Sequence, residues 1–541
     1  MLQPENQSKK YEHLFTDIDT GRIKIPQFQR EFVWSKEQTA KLIDSIIKGF
    51  PIGTFIFWKT REVLRHVKNI GNFSLPDTPT GEPVSYVLDG QQRITSLYAV
   101  HKGLRMTKDG IEIDYRDIHI DLGPDIEEDE QIVRTEIPDD TPSVSVFDAL
   151  NGKLTDFMKK FDEAALNKIE IYQRRLKSYD FSTILISEYP IDIACEVFTR
   201  INTGGTELTL FEIMVAKTYD IEKQFDLSKE YDRLIDSGNG EKDLEDVGFE
   251  GIPSSVVLQC ISAHICQQVR RRDILKLNKS DFISSWPTVK DGLFHTVDYI
   301  RSFLRVPVSR LLPYNAIIVP FSYFFIKNNL KNPSNIQHKL LTQYFFWSAL
   351  SNRFTSGVEG KIALDIKKMD DILAEKMPDY RGHEVNMTID DIRYKWFSTG
   401  DAFCRAILCI YCYFEPKSFE SNSIVKIDND WLKVAFSKNY HHFFPKAFLK
   451  TKGFGHWQAN SILNITIVDD YLNKRKIGAK APSDYIANYQ KKNAELSKTL
   501  SSHLIDDLVS FGIMSDEYET FIERRGKKVI EEITKRLNPQ I

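Results

Sequence analysis

The stretch VLDGQQRITSL, Val87 to Leu97, decides how the N-terminal part of the chain is read. An apolar strand pattern ends at Asp89, Gly90 permits a tight turn, and from Gln91 onward Ile94, Leu97 and Tyr98 recur at helical spacing. Strand, glycine and helix start in that order predict an α/β unit with polar groups gathered at the turn. Amides at a helix start favour an anion, and Arg93 adds a planar cationic fork that matches phosphate oxygens. Asp89 is a candidate for positioning a metal-bound water or contacting a ribose, and Gln91 or Gln92 for orienting a nucleophile. Many α/β folds carry such a turn for packing alone, so the motif needs company.

It has two companions. IPQFQREFVW, Ile25 to Trp34, repeats the glutamine–arginine pairing in Gln29 and Arg30. VFTRINTGGTELTLFEIMVAK, Val197 to Lys217, carries Arg200, Asn202, Thr203, Gly204 and Gly205 in a polar turn before a helix. Three polar clusters embedded in apolar sequence can converge on one ligand. The alternative is that Arg30, Arg93 and Arg200 make structural ion pairs while Asn202 to Gly205 cap a helix. No G-x-x-x-x-G-K-[ST] loop occurs, so a Walker-type nucleotide site is not supported.

Around these motifs the first 220 or so residues mix strand and helix signals. Ser35 is placed to cap a helix over KEQTAKLIDSIIK, which Gly49 and Pro51 end. TFIFW (54 to 58), SYVLD (85 to 89) and IEIDYRDIHIDL (111 to 122) read as strands, and DLGPDIEEDEQ from Asp121 as a surface excursion. From about 225 to 420 the pattern is mainly helical, a connector or clamp in which Arg270 to Arg272 mark a solvated helix end or a DNA contact. The polar KSFESNSIVKIDND after Pro416 suits a domain boundary. The expected organisation is an α+β multidomain chain: 1–225 α/β, 226–420 helical, and 421–541 a further small domain.

Composition bounds the function. A chain of 541 residues exceeds one ordinary core. Its 42% hydrophobic, 12% aromatic and 27% charged residues fit a soluble globular protein. A net charge of -4 gives no whole-chain sign of nucleic-acid binding, so any such surface is local. Neither an apolar run of about 18 residues nor a secretory start is seen, and a cytoplasmic protein is expected. Six cysteines are too few for a disulfide scaffold. Cys404, Cys409 and Cys412 show an iron–sulfur-like spacing, but they lie in the apolar DAFCRAILCIYCYF with no fourth cysteine following, and a buried helix is expected.

The second constellation begins at NYHHFFPKAFL, Asn439 to Leu449, in a chain with 12 histidines. Phosphodiester cleavage needs an activated water, charge stabilisation and help for the leaving oxygen. The order suits a small ββα nuclease site: His441 and His442 end an extended segment, Asn464 opens the strand-like ITIV, and Asn473 lies in the helix-capable YLNKRK. In this reading His442 is the base, His441 and Asn473 hold a metal, and Asn464 orients the base or bridges the two strands. With no thiolate ligands, a hard ion such as magnesium or manganese is expected rather than zinc. Lys433 to Lys480 hold nine Lys/Arg against two Asp/Glu, a local +7, with Phe443, Phe444, Phe454 and Trp457 interleaved. Lys474, Arg475, Lys476 and Lys480 are the candidate DNA phosphate contacts. The competing view is a solvated basic helix face.

Both constellations resemble one family. I-P-x-F-Q-R-x-[FY]-V-W, [ILV]-D-G-Q-Q-R and V-F-x-R-I-N-x-x-G, over roughly residues 10 to 220, resemble the N-terminal domain of the GmrSD restriction proteins, similar in fold to ParB and sulfiredoxin. HHFFPKAFL, NITI, LNKRK and PSDY resemble the HNH nuclease domain that partners it, with Phe443 in place of the usual isoleucine. The resemblance implies GTP or ATP binding and hydrolysis at Asp89, Gly90, Gln91, Gln92 and Arg93, and metal-dependent DNA cleavage at His441, His442, Asn464 and Asn473. A nucleotide-dependent restriction endonuclease acting on foreign, modified DNA in anti-phage defence is the expected function, with a homodimer favoured by paired strand breaks. The alternatives are a nucleotide-gated ParB-like DNA clamp that no longer cuts, and purely structural roles for all these residues.

Overall fold

Ser35 starts the first long helix as its sequence predicts. Its hydroxyl accepts from the Gln38 amide at 3.2 Å while Gln38 Oε1 accepts from the Ser35 amide at 2.9 Å, a reciprocal cap. The structure, a computed structural model, describes residues 3–26, 32, 34–62, 64, 66, 69–70, 73–108, 111–123, 130–138, 141–201, 209–429, 440–468 and 477–540. Within these the chain divides into two compact units, 1–227 and 228–541.

The first unit is built on a five-stranded sheet: β1 (Glu5–Lys10), β2 (Ile23–Lys24), β3 (Phe55–Thr60), β4 (Val84–Asp89) and β5 (Asp180–Ser187), in the order β1-β5-β3-β4-β2. β5 and β3 pair in parallel, as do β2 and β4; β1–β5 and β3–β4 are antiparallel. Helices α1 (Tyr11–Asp19), α2 (Lys36–Ile47) and α3 (Gln91–Lys102) supply Leu14, Phe15, Ile43, Ile47 and Leu97 to a core shared with Phe55, Val87 and Phe181. IEIDYRDIHIDL does not form one strand. It breaks into Ile111–Asp114 and His119–Asp121 around a single 3-10 turn, because the Asp114 carboxylate accepts the Arg116 amide and bends the chain. Helices α4 (Ile191–Ile201) and α5 (Leu210–Thr218) end the unit.

The second unit is mainly helical. The boundary expected at 420/421 falls inside the second compact unit, in which the last helix (Tyr518–Leu537) packs on Asn335–Leu350 and on α6 (Ala402–Tyr413). Cys404, Cys409 and Cys412 lie buried along α6, as the sequence predicts, and burial pushes the Cys412 thiol up to about 12. Inserted among these helices is a two-stranded antiparallel hairpin, β6 (Tyr440–His442) and β7 (Ile465–Ile467), in which His441 faces Thr466 and His442 faces Ile465. Two short helices, α7 (Lys446–Thr451) and α8 (His456–Ala459), connect its strands. No helix among the described residues is long and apolar enough to cross a membrane.

Candidate functional site

In the first unit β4 ends at Asp89, Gly90 turns with φ +90°, and α3 opens at Gln91. That φ favours glycine, and a Cβ there would lie 2.3 Å from the Phe55 ring. Gln91 and Gln92 are buried. The Arg93 guanidinium lies over the Phe55 ring, 5.1 Å from its centroid, and donates to the carbonyls of Ile52 (2.6 Å) and Thr54 (3.0 Å) and to Asp89 Oδ2 (3.0 Å). The space it fills exists because residue 53 is glycine; a Cβ there would sit 2.4 Å from Nη1. Arg93 therefore ties the turn to the start of β3. Arg200 is exposed on α4 and pairs with Glu196 at 2.8 Å, the ion-pair alternative allowed by the sequence. Gln29, Arg30, Asn202, Thr203, Gly204 and Gly205 lie outside the described residues, so convergence of the three motifs is a matter for function. A cleft of about 300 Å3 opens elsewhere, near Ser85 at the other end of β4. Its Lys9 and Arg22 are matched to Asp17 and Glu82, and Lys59 is the remaining cation of its lining.

The histidine hairpin is held from three sides. Asn464 is fully buried; its Oδ1 accepts the Phe444 amide (2.8 Å) and its Nδ2 donates to the carbonyls of Phe444 and Ala459 (both 2.9 Å). Every side-chain bond of Asn464 goes to backbone, so it bridges the segments around the hairpin rather than touching His442. Arg525, on α9 (Tyr518–Leu537), is also fully buried and donates to the carbonyls of Leu463 (2.8 Å) and Ile465 (2.6 Å). Phe443 and Phe444 are wholly buried, Phe443 stacked on Phe521 at 4.9 Å, so they are core and not part of a DNA surface. Trp457 is the aromatic left 61% exposed.

Successive residues of a strand point to opposite faces, and the two histidines follow that rule. His441 is buried, edge-on to Tyr485. His442, on the more open face, places Nε2 3.0 Å from Asn460 Oδ1. Burial first, and then the charge of Lys446, lower the His442 pKa to about 3, so the ring is neutral at any pH above that. Lys446 is half-buried, and among the described residues its ammonium meets neither a carboxylate nor any other hydrogen-bond acceptor. Asn460 and Lys446 are the residues the sequence reading missed. Lys446 sits in the HHFFPK motif already quoted, whereas nothing in the spacing singles out Asn460.

No group of three or more His, Cys, Asp or Glu placed to hold a metal occurs among the described residues. Among the described residues His441 is the protein donor in view for an ion, whose remaining positions would fall to water and phosphate oxygens. Asn473, Lys474, Arg475 and Lys476 lie outside the described residues; Lys480 is exposed just before the helix Pro482–Gln490.

His503 backs the hairpin. It is buried, its Nε2 donates to the Lys417 carbonyl at 2.8 Å, and its Nδ1 meets the Thr466 hydroxyl at 2.6 Å. Burial lowers its pKa to about 3 as well. Unfolded histidine titrates near 6.5, so between about pH 3 and 6.5 the unfolded chain binds more protons than the folded one. The stability these rings contribute is whole above that window and is lost as pH falls through it. His442 keeps some solvent access, so most of the effect rests with His503. Denaturant titration of the full chain at pH 7 and pH 5 should show the second unit weakened by roughly 2 kcal/mol; equal midpoints would show the buried ring already charged.

Residues 11–219 match the family model described as GmrSD restriction endonuclease, N-terminal domain. The match takes in all three polar motifs of the first unit. That region is thus similar to a GmrSD N-terminal domain, which points to a restriction endonuclease family. Over 95% of its length the chain is also similar to the uncharacterized protein MJ0686 of Methanocaldococcus jannaschii, 24% identical over 583 residues that cover 96% of that protein. The likeness therefore runs well beyond the first unit.

Proposed function

We propose that the protein is a nucleotide-dependent restriction endonuclease of the defence type. In this reading the Gly90–Gln92 turn and the start of α3 receive the phosphates of GTP or ATP, Asp89 faces the metal or ribose, and the histidine hairpin cuts DNA. The observation that carries it is the neutral His442 anchored on Asn460 beside the Lys446 ammonium, which meets no acceptor among the described residues. A neutral imidazole can take a proton from water, and a partly desolvated cation without a carboxylate suits a phosphate oxygen. A pKa near 3 makes a weak base in the free protein. DNA phosphate beside Lys446 would cancel the repulsion that helps depress it and strengthen the base when substrate is present. His441 and Asn473 would hold magnesium or manganese, which supplies Lewis-acid stabilisation of the phosphoryl oxygens when bound. Coupling to a nucleotide gives the host a means of keeping the nuclease inactive until foreign DNA is engaged. A cytoplasmic location and a dimer that cuts both strands complete the proposal.

The test is incubation of the purified full chain with magnesium or manganese and unmodified, glucosylated, methylated or phosphorothioated DNA, with and without GTP or ATP. Cleavage that requires the divalent ion is expected; no cleavage in any combination would overturn the nuclease. Lys446→Met should lower kcat/KM about 10- to 100-fold, an amount typical of one transition-state cation or donor. Unchanged kcat/KM would take Lys446 off the phosphate.

A further inference from the structure

We propose that Asn460 is a positioning residue that holds His442 in the Nε2–H tautomer, leaving Nδ1 as the nitrogen that takes the proton from the attacking water. The inference rests on the nuclease reading above. The argument starts at Phe397. Its carbonyl can only accept, so the Asn460 atom 3.1 Å from it is the NH2 group. The other end of the amide is then Oδ1, which faces His442 Nε2 at 3.0 Å and can itself only accept. Nε2 must carry the hydrogen. A neutral imidazole has one N–H, so the lone pair is on Nδ1.

The backbone that carries the Asn460 side chain is itself fixed. Asn460 is buried, its amide N–H donates to the His456 carbonyl at 3.1 Å, and its carbonyl accepts the Phe397 amide at 2.9 Å. The same pair of segments is tied again by the Ile462 amide on the Lys395 carbonyl (2.8 Å) and the Ser461 hydroxyl on the Arg393 carbonyl (2.7 Å). Residues 393–397 thus act as a fixed backbone against which the amide, and through it the imidazole, is oriented. In the step this serves, a water O–H bond breaks toward Nδ1 as the water oxygen bonds to phosphorus. The phosphorus bond to the leaving oxygen breaks, and that oxygen takes a proton from solvent.

Two measurements on the full chain test the proposal. With histidine labelled in 15N, two-bond 1H–15N correlations should show His442, identified by the signal lost in His442→Gln, as the Nε2–H form. Asn460→Leu should lower kcat for DNA cleavage about 10- to 100-fold, the usual cost of losing an orienting partner, with KM for DNA unchanged and His442 shifted toward mixed tautomers. An Nδ1–H form in the parent protein, or an Asn460→Leu protein cleaving with the parent kcat, would overturn it. A parent that shows the Nε2–H form yet never cuts DNA would instead refute the nuclease reading, and this role with it.

Discussion

Replacing His442 by alanine is expected to lower DNA cleavage about 1,000-fold, in the middle of the range for loss of a positioned general base. The side chain is the neutral ring on the open face of the hairpin, and among the described residues its hydrogen bond runs to Asn460 alone, so removal disturbs little else. Asn460 Oδ1 loses its partner, at a cost of about 1–3 kcal/mol, too small to unfold a unit of this size. Nucleotide hydrolysis, placed in the other unit, should continue at the parent rate. Cleavage and nucleoside triphosphate turnover measured on the same preparation separate the two activities. Cleavage within tenfold of the parent would remove His442 from the reaction, and loss of both activities would point to a folding defect.

Local signals carried much of this architecture. The Ser35 cap, the strand ending at Asp89, the Gly90 turn and the buried cysteine helix are each specified within a few residues, so periodicity and capping chemistry suffice to read them. What local pattern does not carry is non-local or turn-dependent. One aspartate, Asp114, splits a segment whose alternation reads as one strand. The boundary expected near 420 falls inside one compact unit, where the helix from Tyr518 packs on Ala402–Tyr413, more than 100 residues earlier. In the site, adjacent histidines read alike, but strand geometry gives them different surroundings, His441 against Tyr485 and His442 against Asn460. Arg93 reads as a phosphate fork, yet Gly53, forty residues earlier, opens the space that draws it onto backbone carbonyls. Asn460 takes its meaning from Phe397, a residue 63 positions away that no local motif connects to it.

Asn464→Ala separates a structural asparagine from a chemical one, and its effect on stability should be the larger. The sequence allows Asn464 either to orient the base or to bridge the strands, and the geometry gives it three bonds to backbone groups, none of them to His442. Alanine would leave the Phe444 amide and the carbonyls of Phe444 and Ala459 buried without their partner. At about 1–3 kcal/mol per abandoned group, offset by partial relaxation, the second unit should lose about 3–5 kcal/mol. That is a large share of the roughly 5–15 kcal/mol that holds a typical domain together. Denaturant unfolding of the variant should show the loss directly. At low temperature, where the folded fraction recovers, cleavage per folded molecule should approach the parent kcat, because the base, its orienting amide and Lys446 are untouched. Full stability with a kcat reduced 100-fold would reverse the assignment and make Asn464 part of the chemistry. Asn460→Leu is expected to behave in the opposite way, with kcat falling further than stability, so the two asparagines, four residues apart, divide the work of holding the hairpin and aiming its histidine.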